Sequence, residues 1–416
     1  MKIKCFKGLF KGLSITLTAV CIVIFGMLFY LNSTVVSDYK VHSGEKLQLN
    51  TGIPITAVYN NAALSQSNPI RQIGSSFNVD LKMLGIIPVS TIQVEVVDDM
   101  HVAVLGNLFG IRIYTDGVIV VDVTDVDTDK GNFSPAKAAG IKKGDVILSI
   151  DNQAVFSNED VSKIIGNSNG RQLTFKVCRD SKQFTVSFCC EKSVETGQYR
   201  AGLWVRDSSA GIGTLTFYSP SNGIVCGLGH GICDSDTGVL LPLSSGQLVG
   251  ARLISLEKGK AGVPGELKGR FTSDLIASLD TNCDVGVYGA LLCDINVSDL
   301  TQIALKQEIK DGEAQILCTV GEGGPTAYSC TVKRKNTASS TDTQNLIVKV
   351  TDERLLNITG GIIQGMSGSP ILQNGKLIGA VTHVLIDDPT TGYGVYAENM
   401  LQTAKDTAVN NLKKAS

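Results

Sequence analysis

The chain begins with a continuous apolar segment, and its charged residues lie asymmetrically around that segment. Leu13 to Leu31 is a run of 19 residues without a charged side chain, which as a helix of about 28 Å could cross a membrane. Four lysines precede this run within residues 1–12, and positive residues stay on the cytoplasmic side. We predict a transmembrane signal anchor at 13–31, a cytoplasmic N-terminus at 1–12, and an extracytoplasmic location for the rest. A cleaved signal peptide is the alternative, although the apolar run is longer than usual.

The pattern of apolar and polar positions changes twice before the middle of the chain. Residues 32–95 join a short apolar stretch to a polar, breaker-rich one, which predicts a linker or a small β segment. From 96 to 193, alternating apolar residues indicate strands around two short helices. Ser134 fits the cap of the first helix, Pro135 fits its first turn, and Gly140 fits its end.

Beyond residue 195 the pattern is that of a β domain. Short apolar runs alternate with glycine-containing turns, which predicts a β-barrel or a sandwich. The last stretch, 397–415, has a helical pattern with basic residues near its end. The whole chain is therefore predicted to be mainly β.

Composition and charge exclude some classes of function. The net charge is -2 and no basic patch alternates with aromatic residues, so nucleic acid is not a predicted partner. Nine of the 11 cysteines lie beyond the anchor, where an exported location would permit disulfides. Cys318 and Cys330 flank a Gly-Gly-Pro turn and could face each other across two strands. Because the sequence has no CxxC pair, we predict neither a metal nor a cofactor.

The segment SPAKAAGIKKGDVILSIDNQAV within 96–193 resembles a PDZ domain. In that resemblance, LGNLFGIRI is the loop and strand that receive a peptide ligand. The loop residues whose free N–H groups would hold a terminal carboxylate are Gly106, Asn107, Leu108 and Phe109, and Gly110 belongs to the same predicted peptide-binding set. Ile111 and Ile113 would then pair with the peptide as an added strand. The loop departs from the common Gly-Leu-Gly-Phe form, and packing without ligand binding is the alternative.

A candidate nucleophile lies in the sequence GGIIQGMSGSPIL. A nucleophilic serine must project from a tight turn whose N–H groups point at the developing oxyanion, and glycine permits such turns. Residues 365–370 have the G-x-S-G-x-P form of chymotrypsin-like proteases. This form predicts Ser367 as the nucleophile and the N–H groups of Gly365 and Ser367 as the oxyanion hole. Ser369 could be mistaken for the nucleophile, and a glycine-rich turn without catalytic use is the alternative.

A serine nucleophile needs a base, usually a histidine that a third residue orients. His230 follows an apolar strand in IVCGLGHGICD and is the favoured base. His383 competes, because it lies 16 residues after the serine on a predicted strand. For the third member, spacing alone leaves Asp284 and Asp352 both open.

Four motifs together resemble the SpoIVB peptidase family: WVRDSSAGIGTLTF, GLGHGICDSDTG, VTDERLLNITGGIIQGMSGSP and GAVTHVLIDDPTTGYGVYAENM. The order anchor, PDZ domain and protease also agrees. The resemblance implies a chymotrypsin-like double β-barrel at 195–416 and a triad of His230, Asp352 and Ser367. It favours Asp352 over Asp284.

The same resemblance implies a role in sporulation signalling. The enzyme would lie on the forespore inner membrane and cleave a SpoIVFA-like inhibitor of an intramembrane metalloprotease, which leads to sigma-K activation. It would also bind its own chain through the PDZ domain and release itself by cutting within 32–95. The rival functions are an HtrA-like quality-control protease, whose PDZ domain follows the protease instead, and a non-enzymatic PDZ scaffold on the membrane.

Overall fold

The computed structural model describes residues 18–31, 38–43, 45, 47, 54–59, 73–98, 100–295, 297, 299–335 and 343–415. These residues form two compact units. The first comprises Met1–Met100, Gln302–Lys310 and Asn336–Asp342, and the second comprises His101–Thr301, Asp311–Lys335 and Thr343–Ser416.

The predicted anchor at 13–31 is only partly covered by the structure. Helix α1 spans 18–31, while 1–17, which include the predicted cytoplasmic segment, lie outside the described residues. Within the part of the chain that the structure describes, no helix combines the length and the apolar character needed to span a membrane.

The first unit contains a four-stranded sheet in the region predicted as a linker or small β segment. Its strands are β1 (Asp38–His42), β2 (Ile55–Tyr59), β3 (Ser76–Met83) and β4 (Ile87–Val97), in the order β1-β4-β3-β2. Alternate residues of β3 and β4 are buried in one apolar cluster, among them Val79, Leu81, Ile92 and Val94. This alternation is the pattern of a sheet with one packed face. The 3₁₀ turn at Lys306–Glu308 belongs to the same unit.

The remaining elements follow in chain order. The strands are β5 (His101–Val104), β6 (Leu108–Val123), β7 (Val126–Thr128), β8 (Gly131–Phe133), β9 (Val146–Ile150), β10 (Gln153–Ala154), β11 (Gln172–Arg179), β12 (Lys182–Cys189), β13 (Glu191–Lys192), β14 (Tyr199–Arg200), β15 (Leu203–Ser219), β16 (Ile224–Gly227), β17 (Leu243–Glu257), β18 (Glu266–Ser278), β19 (Thr281–Cys283), β20 (Gly286–Ala290), β21 (Thr301–Gln302), β22 (Gly312–Cys318), β23 (Thr326–Arg334), β24 (Leu346–Val350), β25 (Pro370–Gln373), β26 (Lys376–Leu385) and β27 (Asp388–Tyr396). The helices are α2 (Pro135–Ala138), α3 (Asn158–Gly166), α4 (Glu353–Thr359) and α5 (Ala397–Ala415).

The helix signals predicted near residue 134 are confirmed. The Ser134 hydroxyl accepts a hydrogen bond from Lys137 N, Pro135 opens α2, and Gly140 follows the helix with φ of +88°. α2 and α3 pack with strands β9 and β11 around a buried apolar cluster that includes Phe175 and Ile147. This cluster is the core of the PDZ-like part of the second unit.

Strand β6 joins the PDZ-like part to the rest of the second unit. Its first half pairs with β15 and β17, while Val118 and Ile119 in its second half pair with β9. The chain therefore has no clean boundary between a PDZ sheet and a protease sheet, because one large sheet runs through both. Beside it, β22-β23-β24-β27-β26-β25 form a closed barrel. Of the two predicted barrels, one is therefore present as a closed barrel. The strands expected to form the other belong to the large shared sheet.

The predicted facing of Cys318 and Cys330 is wrong. In the β22–β23 hairpin Cys318 pairs with Thr326, and Cys330 pairs with Ala314, so the two cysteines are not opposite each other. Both are buried, and burial raises the pKa of each thiol to about 12. The ten described cysteines are all free thiols.

Candidate active site

Ser367 lies on a tight turn between α4 and β25. Its Oγ donates a hydrogen bond to Thr382 O at 2.7 Å, and its carbonyl accepts one from Thr214 N at 2.9 Å. Gly365 and Gly368 flank it with φ of +94° and +93°. A Cβ at Gly368 would lie 2.0 Å from Thr214 O. The turn therefore requires glycine for both its backbone angles and its close approach to β15.

The N–H groups predicted as an oxyanion hole are available on this turn. Among the described residues, no protein acceptor takes a hydrogen bond from the N–H of Gly365 or Ser367, whereas Met366 N donates to Ile363 O at 3.1 Å. The preceding residue, Gln364, is held from both sides, since its N–H donates to Gly265 O and its carbonyl accepts from Leu267 N. The turn is thus fixed by its neighbours while these two donors stay unused, as an oxyanion hole requires.

His230 follows β16 through two residues with positive φ, Leu228 at +65° and Gly229 at +67°. Its Nδ1 lies 2.8 Å from Gly231 O. Because a carbonyl can only accept, this contact places the proton on Nδ1 and leaves Nε2 unprotonated. Burial lowers the pKa of His230 below its ordinary 6.5. The ring is therefore in the neutral form and the tautomer that a general base needs.

One cleft of about 440 Å³ brings the candidate residues together. Ser367, His230 and His383 all contribute to its lining. Ser367 and His383 come from the closed-barrel half, and His230 comes from the end of β16 in the shared sheet. The rest of the lining is mainly apolar and includes Ile111, Ile113, Ile212, Leu228, Ile362, Ile363, Val384 and Ile386.

His383, the rival base, lies against His230. The two ring centroids are 4.6 Å apart and the ring planes are tilted by 35°. His383 is exposed on its outer side, while the burial of its ring and then the charge of His230 lower its pKa to about 4. Because solvent on the exposed side screens this effect, we expect the measured pKa to lie between that value and the ordinary 6.5.

Asp352, the third member implied by the family resemblance, does not reach this cleft. It caps the N-terminus of α4, where its carboxylate accepts hydrogen bonds from Arg354 N and from Ser329 N. Its ion pair with Arg354 at 2.7 Å holds the pKa of the carboxyl well below its ordinary value. Asp284, the alternative from spacing, is also absent from the lining of the cleft. Among the described residues, the Gly231 carbonyl takes the tautomer-fixing position instead.

The predicted peptide-binding strand of the PDZ domain is corrected by the register of β6. Ile111 pairs with Gly211 on one side and with Leu248 on the other. Ile113 is likewise paired on both sides, with Ser209 and with Gly246. No edge is left there for an added strand. Of the predicted loop residues, Gly106 N donates to Leu215 O, Asn107 O accepts from Leu215 N, and Leu108, Phe109 and Gly110 begin β6.

A charged cluster near His230 was not predicted from the sequence. The guanidinium of Arg206 on β15 bonds Asp234 at 2.5 Å and Asp236 at 2.7 Å. The Asp234 side chain is fully buried, and its other oxygen accepts from the N–H groups of Asp236 and Thr237. Arg206 therefore anchors the loop that directly follows His230. The Asp-x-Asp spacing after the histidine is the sequence signal that could have revealed it.

Among the described residues of the first unit, three side chains that could ligate a metal lie close together. The ligand atoms of His42, Glu45 and Glu308 lie within 4.8 Å of one another. None of these residues belongs to the predicted catalytic set.

Family models match two consecutive parts of the chain. Residues 197–401 match the SpoIVB peptidase S55 family, and residues 89–188 match the PDZ domain family. Residues 197–401, just under half of the chain, are therefore similar to a serine peptidase family, and residues 89–188 are similar to PDZ domains.

Similarity to individual proteins is more limited. The chain is 29% identical over 103 residues to a Treponema pallidum protein named as a zinc metalloprotease, and 34% identical over 89 residues to the protease eep of Enterococcus faecalis. These matches cover 25% and 20% of the chain, and it spans only 22% and 20% of those relatives. The active form of the Rv3671c protease from M. tuberculosis is 17% identical, with a TM-score of 0.27, over 47% of this chain and 72% of that one.

Proposed function

We propose that the chain is a serine endopeptidase in which Ser367 is the nucleophile and His230 is the general base. The observation that carries this proposal is the common cleft of Ser367 and His230, next to the unused N–H groups of Gly365 and Ser367. The match of residues 197–401 to a serine peptidase family supports it.

The geometry suggests an order of events. In the free enzyme the Ser367 hydroxyl donates to Thr382 O, so it must rotate toward Nε2 of His230 when substrate binds. His230 then takes the proton as Oγ attacks the carbonyl carbon of the substrate, and the oxyanion accepts hydrogen bonds from Gly365 and Ser367. The imidazolium gives its proton to the leaving amine, and water releases the acyl group by the same steps in reverse. The Gly231 carbonyl keeps Nδ1 as the donor throughout.

The walls of the cleft favour an apolar side chain next to the cleaved bond. Ile362 and Ile363 precede the nucleophile, and Val384 and Ile386 follow His383 along the chain. Apart from the two histidines, the lining contains no ionisable side chain except the thiol of Cys233. An apolar side chain would bury itself against these residues at no cost of charge desolvation.

From the family resemblance of the sequence we propose a specific cellular role for this peptidase. The enzyme is anchored at 13–31 with its peptidase domain outside the cytoplasm, acts in sporulation signalling on a SpoIVFA-like regulator, and thereby promotes sigma-K activation. It also cuts its own chain within 32–95 and leaves the membrane as a diffusible enzyme. Tethering supports self-cleavage, since it raises the effective concentration of this segment to about the millimolar range.

The test measures kcat/KM of the full-length chain and of two variants, each of which lacks one serine hydroxyl. The substrate is a fluorogenic peptide with an apolar residue before the cleaved bond. Ser367→Ala should lose at least about 10³-fold in kcat/KM. Ser369→Ala is the matched control, because its buried hydroxyl has no partner among the described residues, and it should stay within about twofold of the parent. Equal loss in both variants, or none in either, would refute the assignment of Ser367.

The same two variants test self-cleavage. In cells without a wild-type copy, the Ser369→Ala protein should appear in a shortened form whose N-terminus lies within 32–95, and the Ser367→Ala protein should stay full length. If the Ser367→Ala protein is shortened to the same extent, another protease makes the cut.

A further inference from the structure

Three side chains with metal-binding atoms meet in the first unit, at the end of β1. His42 is the last residue of this strand, Glu45 follows it closely, and Glu308 lies in the 3₁₀ turn far along the chain. A ring nitrogen of His42 and one carboxylate oxygen of each glutamate all lie within 4.8 Å of one another. All three residues belong to the same compact unit, so the cluster is part of the fold of that unit.

A backbone turn brings Glu45 back beside His42. β1 pairs in parallel with β4, where His42 is level with Val97, and Ser43 N donates to Val97 O at 3.1 Å. Glu45 N then donates to His42 O at 3.0 Å, which closes a turn between residues three positions apart. The His42 side chain is buried, with 1% exposed, whereas Glu45 is exposed. The imidazole is therefore held by packing, and the first carboxylate lies at the surface next to it.

Hydrogen bonds on the 3₁₀ turn orient the second carboxylate. Glu308 N donates to Leu305 O at 2.9 Å, and one carboxylate oxygen of Glu308 accepts from Leu305 N at 2.8 Å. The Gln307 side chain donates to Lys40 O on β1, 267 positions earlier in the sequence. Leu305 and Ile309, on either side of the turn, are buried. Carboxylates that bind metals usually have such a hydrogen-bond partner, which fixes their orientation.

One imidazole and two carboxylates form a ligand set that suits Zn²⁺. Zinc binds these nitrogen and oxygen atoms at about 2.0–2.2 Å in a tetrahedron, whose corners are about 3.4 Å apart. Atoms that already lie within 4.8 Å of one another reach this geometry by shifts of about 1 Å, which the exposed Glu45 side chain can supply by rotation. The two carboxylates balance the charge of the ion, and the fourth corner is left for water.

We propose that His42, Glu45 and Glu308 bind one Zn²⁺ ion, which fastens the end of β1 to the 3₁₀ turn. β1 lies at the edge of its sheet, where β4 is its partner, and the ion gives this strand a second attachment. The site is independent of the proposed peptidase activity, because none of the three residues lines the catalytic cleft. The absence of CxxC pairs from the sequence bears only on cysteine sites, and these ligands lie too far apart along the chain to form a recognisable motif.

Zinc binding is measured by calorimetric titration of the full-length Ser367→Ala protein in detergent, after treatment with a chelator and dialysis. This parent protein cannot cut itself if Ser367 is the nucleophile. Glu45→Gln and Glu308→Gln keep the side-chain shape and remove the charge. Because even the hydrogen-bond partner of a ligand contributes about 10–100-fold to affinity, each variant should bind zinc at least about tenfold more weakly. The double variant should bind one equivalent of zinc fewer than the parent, whatever zinc the thiols or the cleft histidines hold.

Glu322→Gln is the matched control, with the same change of charge at an exposed position outside the cluster. It should bind as much zinc as the parent, and as tightly. Equal zinc content in the parent and the double variant would overturn the proposal, and so would an equal loss in Glu322→Gln. Thermal unfolding without zinc shows whether each variant is folded. Glu45→Gln alone is decisive if the Glu308 variants are not, because Glu45 is exposed.

Hydrogen exchange tests whether one ion joins the two segments. With zinc at ten times its Kd, exchange through openings that release the ion should slow by about tenfold. This slowing should occur both in the peptide that contains His42 and in the peptide that contains Glu308, and the double variant should show it in neither. Protection of one segment alone would refute the attachment of β1 to the turn. Mg²⁺ and Ca²⁺, which take six or more oxygen ligands, should displace no zinc at tenfold excess, and displacement by either would refute the choice of zinc.

Discussion

The imidazole ring of His383 lies 4.6 Å from that of His230, centroid to centroid. His383 stands 16 residues after Ser367 on β26, and it was predicted as the rival base. The structure shows two neighbouring histidines in one cleft, and only His230 has its tautomer fixed, through Gly231 O. Two rings this close disfavour a second positive charge. His383 is therefore expected to affect the pH range in which His230 can act as a base.

The pH dependence of kcat/KM is the first prediction. Burial lowers the pKa of His230, so the neutral base should persist below pH 6.5 and the acid limb should lie below that value. His383→Asn removes the ring that shields one side of His230, which should raise the His230 pKa and move the acid limb to higher pH. His101→Asn, at an exposed position, is the control. An acid limb that stays in place in His383→Asn would contradict this role of His383.

The same histidines predict a loss of stability in acid. A histidine whose folded pKa is depressed binds its proton more readily in the unfolded state. Stability should be complete above the unfolded pKa of 6.5 and should fall as the pH decreases below it toward the lowered pKa that His383 has in the folded protein. His383→Asn should flatten this decrease. Denaturant unfolding of both proteins at several pH values across this range measures the effect, and identical slopes would show that His383 titrates normally.

Asp352 is predicted to stabilise the fold more than it assists catalysis. Its carboxylate caps α4 and pairs with Arg354. Asp352→Ala should therefore lower the free energy of unfolding by about 1 kcal/mol, as the loss of an N-cap does, and kcat should fall less than tenfold. Chemical denaturation and peptide cleavage on the same protein separate the two effects. A loss of kcat as large as that of Ser367→Ala would restore Asp352 to the triad implied by the family resemblance.

The sequence alone was sufficient to predict the turn of Ser367, but it was not sufficient to predict the partner of His230. The turn of Ser367 could be predicted because its signal is local: Gly365 and Gly368 are needed at fixed positions beside the serine. The partner of His230 could not be predicted, because the Gly231 carbonyl that fixes its tautomer belongs to the backbone and every residue has one. The sequence also does not indicate which strands pair when they are far apart along the chain. The alternation at Ile111 and Ile113 predicted a strand, but it could not show that β15 and β17 pair with both edges of that strand.

Arg206 is predicted to position His230 through the loop that follows it. Arg206→Ala would leave the fully buried Asp234 carboxylate without its cation, which typically costs about 3–5 kcal/mol. The double variant Arg206→Leu/Asp234→Asn removes the unpaired charge and should regain stability. Its kcat should still be reduced by about tenfold or more, because the loop is no longer tied to β15, while KM should change little. Arg252→Ala, at an exposed site on β17, is the control. A double variant with full kcat would show that this anchor is purely structural.

The last prediction compares two glycines, Gly368 and Gly375, to separate the cost of a positive φ from the cost of a steric clash at the catalytic turn. Gly368 has φ of +93°, and a Cβ there would lie 2.0 Å from Thr214 O. Gly375, in the turn between β25 and β26, has φ of +78°, but a Cβ added there would have no neighbouring atom within 4 Å. Gly375→Ala should therefore cost only the strain of a positive φ, about 1 kcal/mol, with normal activity.

Gly368→Ala carries the same strain and must also push the turn away from β15. It should be less stable than Gly375→Ala and should lose at least about 10²-fold in kcat, because the displacement moves Ser367 and the oxyanion donors together. Denaturation and cleavage assays on the two variants give both differences directly. Equal stability and equal activity would mean that the turn can shift without harm, and that the contact between Gly368 and Thr214 does not fix the nucleophile.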